Sequence, residues 1–198
     1  MKIYDISQEV FACEVYPGDP KPQRMLLAST EKGNVYNLTA FSMCAHNGTH
    51  IDAPFHFLPD GKTVDMISPE KTVGYAFVTA QEGILLAEDA RLVLQLAAAQ
   101  HPQAVGKILI KGNAEVSLEA AEVFAAAEID LLGVESQSVG PVNAPMAVHR
   151  ALLGADVVLL EGIRLRDVPC GVYWLNAIPL NLDGSDGAPC RATLVETS

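Results

Sequence analysis

The chain has 198 residues, of which 49% are hydrophobic and 19% are charged, and 24 acidic against 13 basic side chains give it a formal net charge of −11. The length suits one compact domain, and the apolar fraction excludes a disordered chain, because such a chain could not bury enough surface to offset its ordering entropy. The acidic balance argues against nucleic acids and anionic membranes, since both are bound through clustered Lys and Arg.

The start of the chain and its cysteines predict a cytoplasmic protein. Residues 1–5 lead straight into a strand-like pattern without the apolar core of a signal peptide. No run approaches the roughly 18 consecutive apolar residues of a membrane-spanning helix. The cysteines are scattered singly, which is typical of reduced thiols in a cytosolic chain of this size: Cys13, Cys44, Cys170 and Cys190.

Short strands and turns are predicted for the first third of the chain, because β-branched and aromatic residues are interrupted there by Pro and Gly. The predicted strands cover residues 3–6, 25–30 and 35–43, and a Pro-Gly turn lies at residues 16–20. From residue 75 onward, strands and helices alternate. Further strands are expected at residues 75–80, 107–111, 129–134, 157–160, 172–180 and 192–195.

Three helices are predicted between these strands, at residues 88–100, 118–127 and 145–153. Ser117 is a helix-capping residue type, and Pro145 suits the first turn of the last helix. Residues 183–187, with the sequence DGSDG, lack the last ligand of an EF-hand loop and are predicted to be a turn. The alternation predicts a single α/β domain over residues 1–198, with a mixed, partly parallel sheet and helices on its face.

Three of the five histidines fall within residues 46–56, which read HNGTHIDAPFH. Gly48 and Pro54 disfavour a helix here, and an extended backbone would place alternate side chains on one face. The polar residues would then share one face: His46, His50, Asp52 and His56. The apolar residues would pack on the opposite face: Ile51, Phe55 and Phe57.

Imidazoles beside a carboxylate are a ligand set for Zn²⁺, with Mn²⁺ or Fe²⁺ as alternatives. The other interpretation is a turn-rich strand whose histidines are solvated. The apolar neighbours indicate that the segment is half-buried, and several buried imidazoles beside a carboxylate need a shared partner. A metal ion is the simplest such partner.

Two residues later in the chain are further candidates. His149 lies on the predicted helix 145–153 among apolar residues, where a lone histidine is commonly a hydrogen-bonded core residue. Glu161 directly follows the apolar strand 157–160, where a carboxylate is costly unless it is paired or binds a metal. Its alternative partners are Arg164 and Arg166. Ligands also collect at strand ends in α/β sheets, which favours a functional role for Glu161.

Residues 46–56 match the pattern H-x-G-T-H-x-D-x-P-x-H, and in this the chain resembles the metal-dependent cyclase family. That family includes bacterial kynurenine formamidases (arylformamidases) and, more distantly, isatin hydrolase. The resemblance spans nearly the whole chain. Residues 16–19 (YPGD) are similar to an early turn of the family, His149 and Glu161 to its later His and Glu pair, and residues 178–192 to its closing segment.

The resemblance implies a swivelling β/β/α fold, assembly as a homodimer or larger, and two divalent metal ions, Zn²⁺ or Mn²⁺. It implies metal ligands at five positions: His46, His50, Asp52, His149 and Glu161. Asp52 would bridge the two ions, and Glu161 would contact both. His56 would transfer protons, and Tyr16 would form part of an aromatic wall for a planar substrate.

These residues predict a metal-dependent hydrolase of a small amide or formamide, such as N-formylkynurenine or a related aryl formamide. Kynurenine formamidases tend to carry Trp where Tyr16 stands and a Gly-Ile-Asp-like stretch where residues 133–140 lie, and both differences concern the substrate rather than the metal. Two alternatives remain open: a hydrolase that opens a cyclic amide or lactone, and a metal-containing binding protein without turnover. A serine hydrolase has no support, because the chain lacks a Gly-x-Ser-x-Gly elbow.

Overall fold

The computed structural model of the chain describes residues 1–141 and 143–196. Its strands are, in chain order, β1 (Ile3–Asp5), β2 (Gln23–Ala28), β3 (Leu38–Ser42), β4 (His50–Asp52), β5 (Val73–Ala80), β6 (Gly83–Leu85), β7 (Lys107–Lys111), β8 (Ala114–Val116), β9 (Leu131–Val134), β10 (Val158–Glu161), β11 (Gly171–Asn176), β12 (Gly187–Pro189) and β13 (Thr193–Glu196). Its helices are α1 (Ala87–Gln100), α2 (Leu118–Ala126) and α3 (Met146–Gly154). Within the described residues, no helix is long and apolar enough to cross a membrane.

A mixed sheet forms the centre of the molecule. Within the described residues, nine strands join in the order β1-β13-β11-β5-β7-β9-β10-β4-β12. The middle pairs, β5 with β7, β7 with β9 and β9 with β10, are parallel, because the helices α1, α2 and α3 carry the chain back between successive strands. The flanking strands pair antiparallel. The predicted α/β class and mixed sheet are confirmed.

The central strands are buried on both faces, which explains their almost continuously apolar sequences. In β7, Ile108 and Ile110 belong to the core under the helices, whereas Leu109 between them belongs to the core on the other side of the sheet. The helical core includes Phe124 of α2 and Leu152 of α3. The second core is enclosed by the curled sheet itself. The helices therefore cover one face of the sheet only.

Most predicted elements agree with the structure to within a few residues. The strand predicted at residues 172–180 is shorter, since β11 ends at Asn176, and the strand predicted at 35–43 is reduced to Leu38–Ser42. Ser117 caps α2 as expected, because its side-chain oxygen accepts a hydrogen bond from the backbone N–H of Ala120 at 3.1 Å. The Pro-Gly turn also forms, with the N–H of Asp19 donating to the carbonyl of Tyr16.

Strands β2 and β3 pair only with each other and form a hairpin apart from the main sheet. We refer to residues 23–42 as the hairpin. Its large apolar side chains are exposed, with Leu27 at 62% and Val35 at 95%. The others are Met25, Leu26, Tyr36, Leu38 and Phe41. This hairpin is the part of the fold that buries its apolar residues least.

Candidate metal centre

Strand pairing brings the predicted ligands together. The short strand β4 lies between β10 and β12, and its register places His50 directly opposite Glu161. Asp52 is two residues further along β4 and therefore points to the same side of the sheet as His50. Helix α3 packs against β10 and carries His149 to this point. Residues more than a hundred positions apart thus meet at one end of the sheet.

Asp52 lies at the centre of the cluster and is only 1% exposed. Its Oδ1 lies 2.8 Å from Nδ1 of His46 and 3.2 Å from Nε2 of His50, and its Oδ2 lies 3.7 Å from Nε2 of His149. Two groups of potential metal ligands result, each with donor atoms within 4.8 Å of one another. They are His46, His50 and Asp52, and Asp52, His149 and Glu161.

Glu161 belongs to the second group, and its carboxylate also faces His50 of the first group. Its Oε2 lies 3.5 Å from Nε2 of His50, and its Oε1 lies 3.3 Å from Nε2 of His149 while accepting a hydrogen bond from the backbone N–H of Val139. The alternative arginine partners are not used. Arg164 pairs with Glu14 at 3.0 Å, and Arg166 is exposed at the surface.

The orientation of two imidazoles fits a cation. Nδ1 of His50 lies 2.9 Å from the carbonyl oxygen of Gly48, and Nδ1 of His149 lies 2.8 Å from that of Pro145. Because a carbonyl only accepts, each Nδ1 carries the proton, which leaves each Nε2 as a lone-pair donor aimed at the carboxylates. Nε2 of His50 is buried without a hydrogen-bond partner among the described residues. A cation between these nitrogens and the carboxylates would satisfy them.

Without a cation, the carboxylates hold protons on the imidazoles. Burial by itself would lower the pKa of His46 and His50. Hydrogen bonds to Asp186 and Asp52 nevertheless raise the pKa of His46 to about 10, and the nearby carboxylates of Asp52 and Glu161 raise that of His50 to about 9. Burial would raise the pKa of Asp52, yet its hydrogen bond to His46 and the adjacent ring of His50 hold that pKa well below its usual range. The same negative field attracts a metal cation, which competes with these protons.

The predicted extended conformation of residues 46–56 is wrong for most of the segment. Only His50–Asp52 is a strand, whereas His46 lies in a turn and residues Pro54–His56 form one turn of 3-10 helix. Pro54 explains the second change, since its fixed φ suits the first position of a helical turn. As a result Phe55 is 40% exposed instead of packed, and Phe57 lies with its ring centre 4.5 Å from that of His149.

Two glycines allow the backbone around Gly48 to pack closely against the residue that follows β10, Gly162. Gly48 has φ +67° and Gly162 has φ +68°, in the left-handed region that favours glycine. A Cβ on Gly162 would lie 2.2 Å from the carbonyl oxygen of Gly48, so no larger residue fits there. The Thr49 hydroxyl donates to the carbonyl of Gly162 at 2.7 Å and fixes this approach.

His56 lies beside the first group, on its more open side. Its side chain is 27% exposed, and its ring stacks on that of His46 with centres 4.0 Å apart. Nδ1 of His56 lies 3.1 Å from Oδ2 of Asp186, which also lies 2.8 Å from Nε2 of His46. His56, His46 and Asp186 form a third group within 4.8 Å.

Asp186 was missed by the sequence analysis, which treats residues 183–187 only as a turn. The carboxylate reaches the cluster because β12 pairs with β4, in a register that sets Gly187 opposite Asp52. Gly187 also permits close contact, since a Cβ there would lie 2.8 Å from Cε1 of His46. The available signal was an aspartate within the closing segment of the family resemblance, but the strand pairing that makes it useful is not visible in the sequence.

A cleft of about 540 Å³ opens onto the cluster, a size suited to a small ligand. Tyr16 and Phe57 provide aromatic walls, and Asp19 and Asp186 lie in the same lining. The cleft also contains residues that the sequence analysis did not select, namely Gln137 and Ser138. Tyr16 therefore shares one cavity with the histidines, as expected from the sequence.

Comparisons with known proteins agree on one family. Residues 4–141 match the family described as "Putative cyclase". The chain is 32% identical to the kynurenine formamidase of Salinibacter ruber, over 98% of this chain and 97% of that protein. A solved potential metal-dependent hydrolase with cyclase activity superposes with a TM-score of 0.81 at 28% identity, covering 98% of this chain and 96% of the other. Isatin hydrolase A of Labrenzia aggregata shares the fold, with a TM-score of 0.79 at 20% identity over 99% of this chain and 94% of that one.

Proposed function

This chain belongs to the putative cyclase family, and from that premise we propose that it is a metal-dependent hydrolase of a small amide or formamide. The proposed substrate class is N-formylkynurenine or a related aryl formamide, because relatives about 30% identical over nearly the whole chain are kynurenine formamidases. One observation carries the proposal. A fully buried carboxylate, Asp52, is shared by two groups of imidazole and carboxylate donors, and it faces Nδ1 of His46, Nε2 of His50 and Nε2 of His149.

The proposed ligands of the two metal ions follow the two groups. His46, His50 and Asp52 would hold one ion, and Asp52, His149 and Glu161 the other. We propose Zn²⁺, with Mn²⁺ as the alternative, since imidazole and carboxylate suit both. When bound, such a cation supplies Lewis-acid polarisation of a carbonyl group and activates a water molecule near neutral pH.

His56 is the proposed proton-transfer residue. Asp186 accepts a hydrogen bond from Nδ1 of His56 and fixes the ring, so Nε2 is left to accept a proton from the attacking water and to return it to the leaving amine nitrogen. Its partial exposure and its place at the open side of the cluster suit a group that exchanges protons with substrate. Tyr16 and Phe57 would hold the aryl ring between them.

The test replaces His56 by alanine in the metal-loaded protein. We expect metal content to stay the same while hydrolysis of formanilide falls by roughly 10²–10⁴-fold, because only proton transfer is removed. Phe55→Ala is the control, since Phe55 lies on the same helical turn but is exposed and lines no part of the cleft. Unchanged hydrolysis in His56→Ala would disprove the proposed role.

A substrate panel separates the open alternatives. Aryl formamides, lactams and lactones are offered to the metal-loaded wild-type protein, and we expect the formamides to be hydrolysed fastest. Faster opening of a lactam or lactone would favour the ring-opening alternative. Stoichiometric metal binding without turnover on any of them would favour a binding protein.

We also propose a homodimer or larger assembly in the cytoplasm. The exposed apolar side chains of the hairpin support an interface, because monomeric proteins rarely leave a large contiguous apolar patch in water. All four cysteines lie in the described residues and are unpaired, which supports a reducing compartment.

A further inference from the structure

A third set of potential metal ligands lies beside the two groups proposed to hold the metal ions. His46, His56 and Asp186 each bring one donor atom to within 4.8 Å of the others. We call this set the outer group, and the two proposed ion sites the inner groups. Oδ2 of Asp186 lies 2.8 Å from Nε2 of His46 and 3.1 Å from Nδ1 of His56. Two imidazoles and a carboxylate suit the same divalent cations as the inner groups.

The outer group lies between the inner groups and the open cleft, which its three residues line. The exposed fraction of the side chain is 40% for Asp186, 27% for His56 and 17% for His46. The remaining ligands of the inner groups are each at most 4% exposed, and they are His50, Asp52, His149 and Glu161. An ion that enters from solvent through the cleft therefore contacts the outer group first.

His46 connects the outer group with the first inner group. Its two ring nitrogens face different carboxylates, since Nδ1 lies 2.8 Å from Oδ1 of Asp52 whereas Nε2 faces Asp186. An ion bound at Nε2 is thus separated from the first inner group by one imidazole ring. The inner groups offer two carboxylates, Asp52 and Glu161, and the outer group offers one. The Coulomb attraction therefore favours transfer of a cation from the outer group to the inner groups.

The protons on the two outer imidazoles have an exit. A carboxylate only accepts, so Asp186 holds a proton on one nitrogen of each ring, and a cation that binds there displaces these protons. Because both rings line the cleft, the displaced protons leave to water. Once both inner ions are bound, their positive charge opposes a third cation nearby. His56 is then free to form its hydrogen bond with Asp186 again.

We propose that the outer group is the entry site for divalent metal ions, where an incoming Zn²⁺ or Mn²⁺ ion binds before it passes to the inner groups. His56 then has two successive roles, as a ligand during metal loading and as the proton-transfer residue of the loaded protein. This proposal rests on the proposed two-ion centre. An entry site changes how fast ions arrive and leave, but it does not change how tightly they are finally bound.

The main test is His56→Ala, because His56 belongs to the outer group and to neither inner group. Zinc release from the loaded protein is measured in an excess of chelator at which the rate no longer depends on chelator concentration. Reloading of the emptied protein is measured by stopped flow with a fluorescent zinc indicator. We expect uptake and release both to slow by the same factor, about tenfold or more. Two ions should still bind with unchanged affinity, since the ions follow one route in both directions.

Two kinds of result would overturn the proposal. Uptake and release as fast as in the wild-type protein would show that the ions bypass His56. Slower uptake with unchanged release, or faster release with unchanged uptake, would mean a lower affinity and would make His56 a support of the final sites instead. Phe55→Ala is the control and should leave both rates unchanged, because Phe55 lies on the same helical turn but does not line the cleft.

Asp186→Asn separates a ligand from a long-range charge. Asparagine can still accept hydrogen bonds from the two rings, but the negative donor is lost. Asp19→Asn is the charge-matched control, since Asp19 lines the same cleft but belongs to none of the ligand groups in the described residues. We expect Asp186→Asn to slow uptake about tenfold at both low and high ionic strength, and Asp19→Asn to slow it less than about threefold and at low ionic strength only. Equal slowing by the two variants would contradict the entry site.

The proposed activity and the entry site fail in different ways. A protein that binds two ions but hydrolyses no formamide would disprove the activity, and its rates of metal uptake and release would still decide the entry site. A protein that hydrolyses formamides but shows unchanged rates in His56→Ala would keep the activity and lose the entry site. A protein that binds no metal would overturn both.

Discussion

The cluster of potential metal ligands (His46, His50, Asp52, His149 and Glu161) and the hairpin depart in opposite ways from the usual rule that apolar side chains are buried and charged ones exposed. The cluster buries His50, Asp52 and Glu161 to within 3% of full burial, whereas the hairpin leaves Leu27 and Val35 largely in water. Elsewhere in the chain, apolar side chains fill the two cores on either side of the sheet. A buried charged group and an exposed apolar patch each carry more information than a buried leucine, because neither helps an isolated chain to fold.

The difference shows what each region lacks. In the cluster, strand register sets His50 opposite Glu161, and hydrogen bonds to backbone carbonyls fix the rings of His50 and His149. The partner that these buried nitrogens and carboxylates still need is therefore a small cation. The hairpin pairs its own backbone but covers neither of its faces well, so its missing partner is a large apolar surface.

The largest effect is expected from Asp52→Asn. This change removes the carboxylate shared by both donor groups, and the remaining buried charges lose their partner. In the metal-loaded protein we expect loss of both ions and a decrease of about 3–5 kcal/mol in the free energy of unfolding, as for breaking a buried charged network. Metal analysis and urea denaturation measure the two quantities. Asp60→Asn, in an exposed loop, should change neither, and full metal retention by Asp52→Asn would refute the shared-ligand assignment.

Glu161→Gln should act on metal binding more than on the fold. The amide oxygen can still accept the hydrogen bond from Val139, but the negative charge that faces His50 and His149 is lost. We expect metal affinity to fall by at least about tenfold, which is the loss seen when a group that only supports a metal ligand is removed, because Glu161 is itself a proposed ligand. The stability of the metal-free protein should change less. Competition with a fluorescent chelator measures the affinity. A larger loss of metal-free stability than of affinity would assign Glu161 a structural role instead.

Leu27→Lys tests the hairpin. Since Leu27 is 62% exposed, the free energy of unfolding of one chain should change by no more than about 0.5 kcal/mol, while assembly through the hairpin should weaken. Light scattering after size exclusion measures the molar mass. Leu92→Lys, at an exposed position on α1, is the matched control. A wild-type monomer, or an assembly that survives Leu27→Lys unchanged, would contradict the proposed interface.

The smallest effect concerns an ion-pair group at the surface. Lys62 and Lys71 lie 2.9 and 3.2 Å from Asp156, and although partial burial would raise the pKa of this carboxyl, their hydrogen bonds lower it below its usual value of 3.8. The pairs therefore stabilise the fold above about pH 4, and this stabilisation is lost as the pH falls through the lowered pKa. We expect Asp156→Asn to cost less than about 1 kcal/mol at pH 7, by urea denaturation, and the cost should shrink as the pH falls from 4 through the lowered pKa. Asparagine also tolerates the φ of +62° at this position, so the change isolates the charge.

The sequence predicted the site best where several potential metal ligands lie close together along the chain. The histidine motif and the carboxylate at the end of an apolar strand identified the donor atoms, and the family resemblance joined His149 to them. What local patterns could not supply was long-range pairing. Asp186 enters the cluster only because β12 pairs with β4, and Phe55 is exposed only because Pro54 turns the chain out of the strand.

Gln137 and Ser138 illustrate the same limit. Neither residue type stands out in a loop. Their side-chain polar atoms are buried without hydrogen-bond partners among the described residues, and both residues line the cleft. The hairpin was expected as a pair of strands, but its separation from the main sheet depends on which strands the rest of the chain leaves unpaired. Both features therefore required the assembled fold.

The central claim is that two separate donor groups share Asp52, and metal counting on paired variants tests it most directly. Elemental analysis of the zinc-loaded wild-type protein should give two ions per chain. His46→Ala and His149→Ala should each give one, because each removes a ligand from a different group. A wild-type chain that binds no metal, or two variants that both keep two ions, would contradict the account.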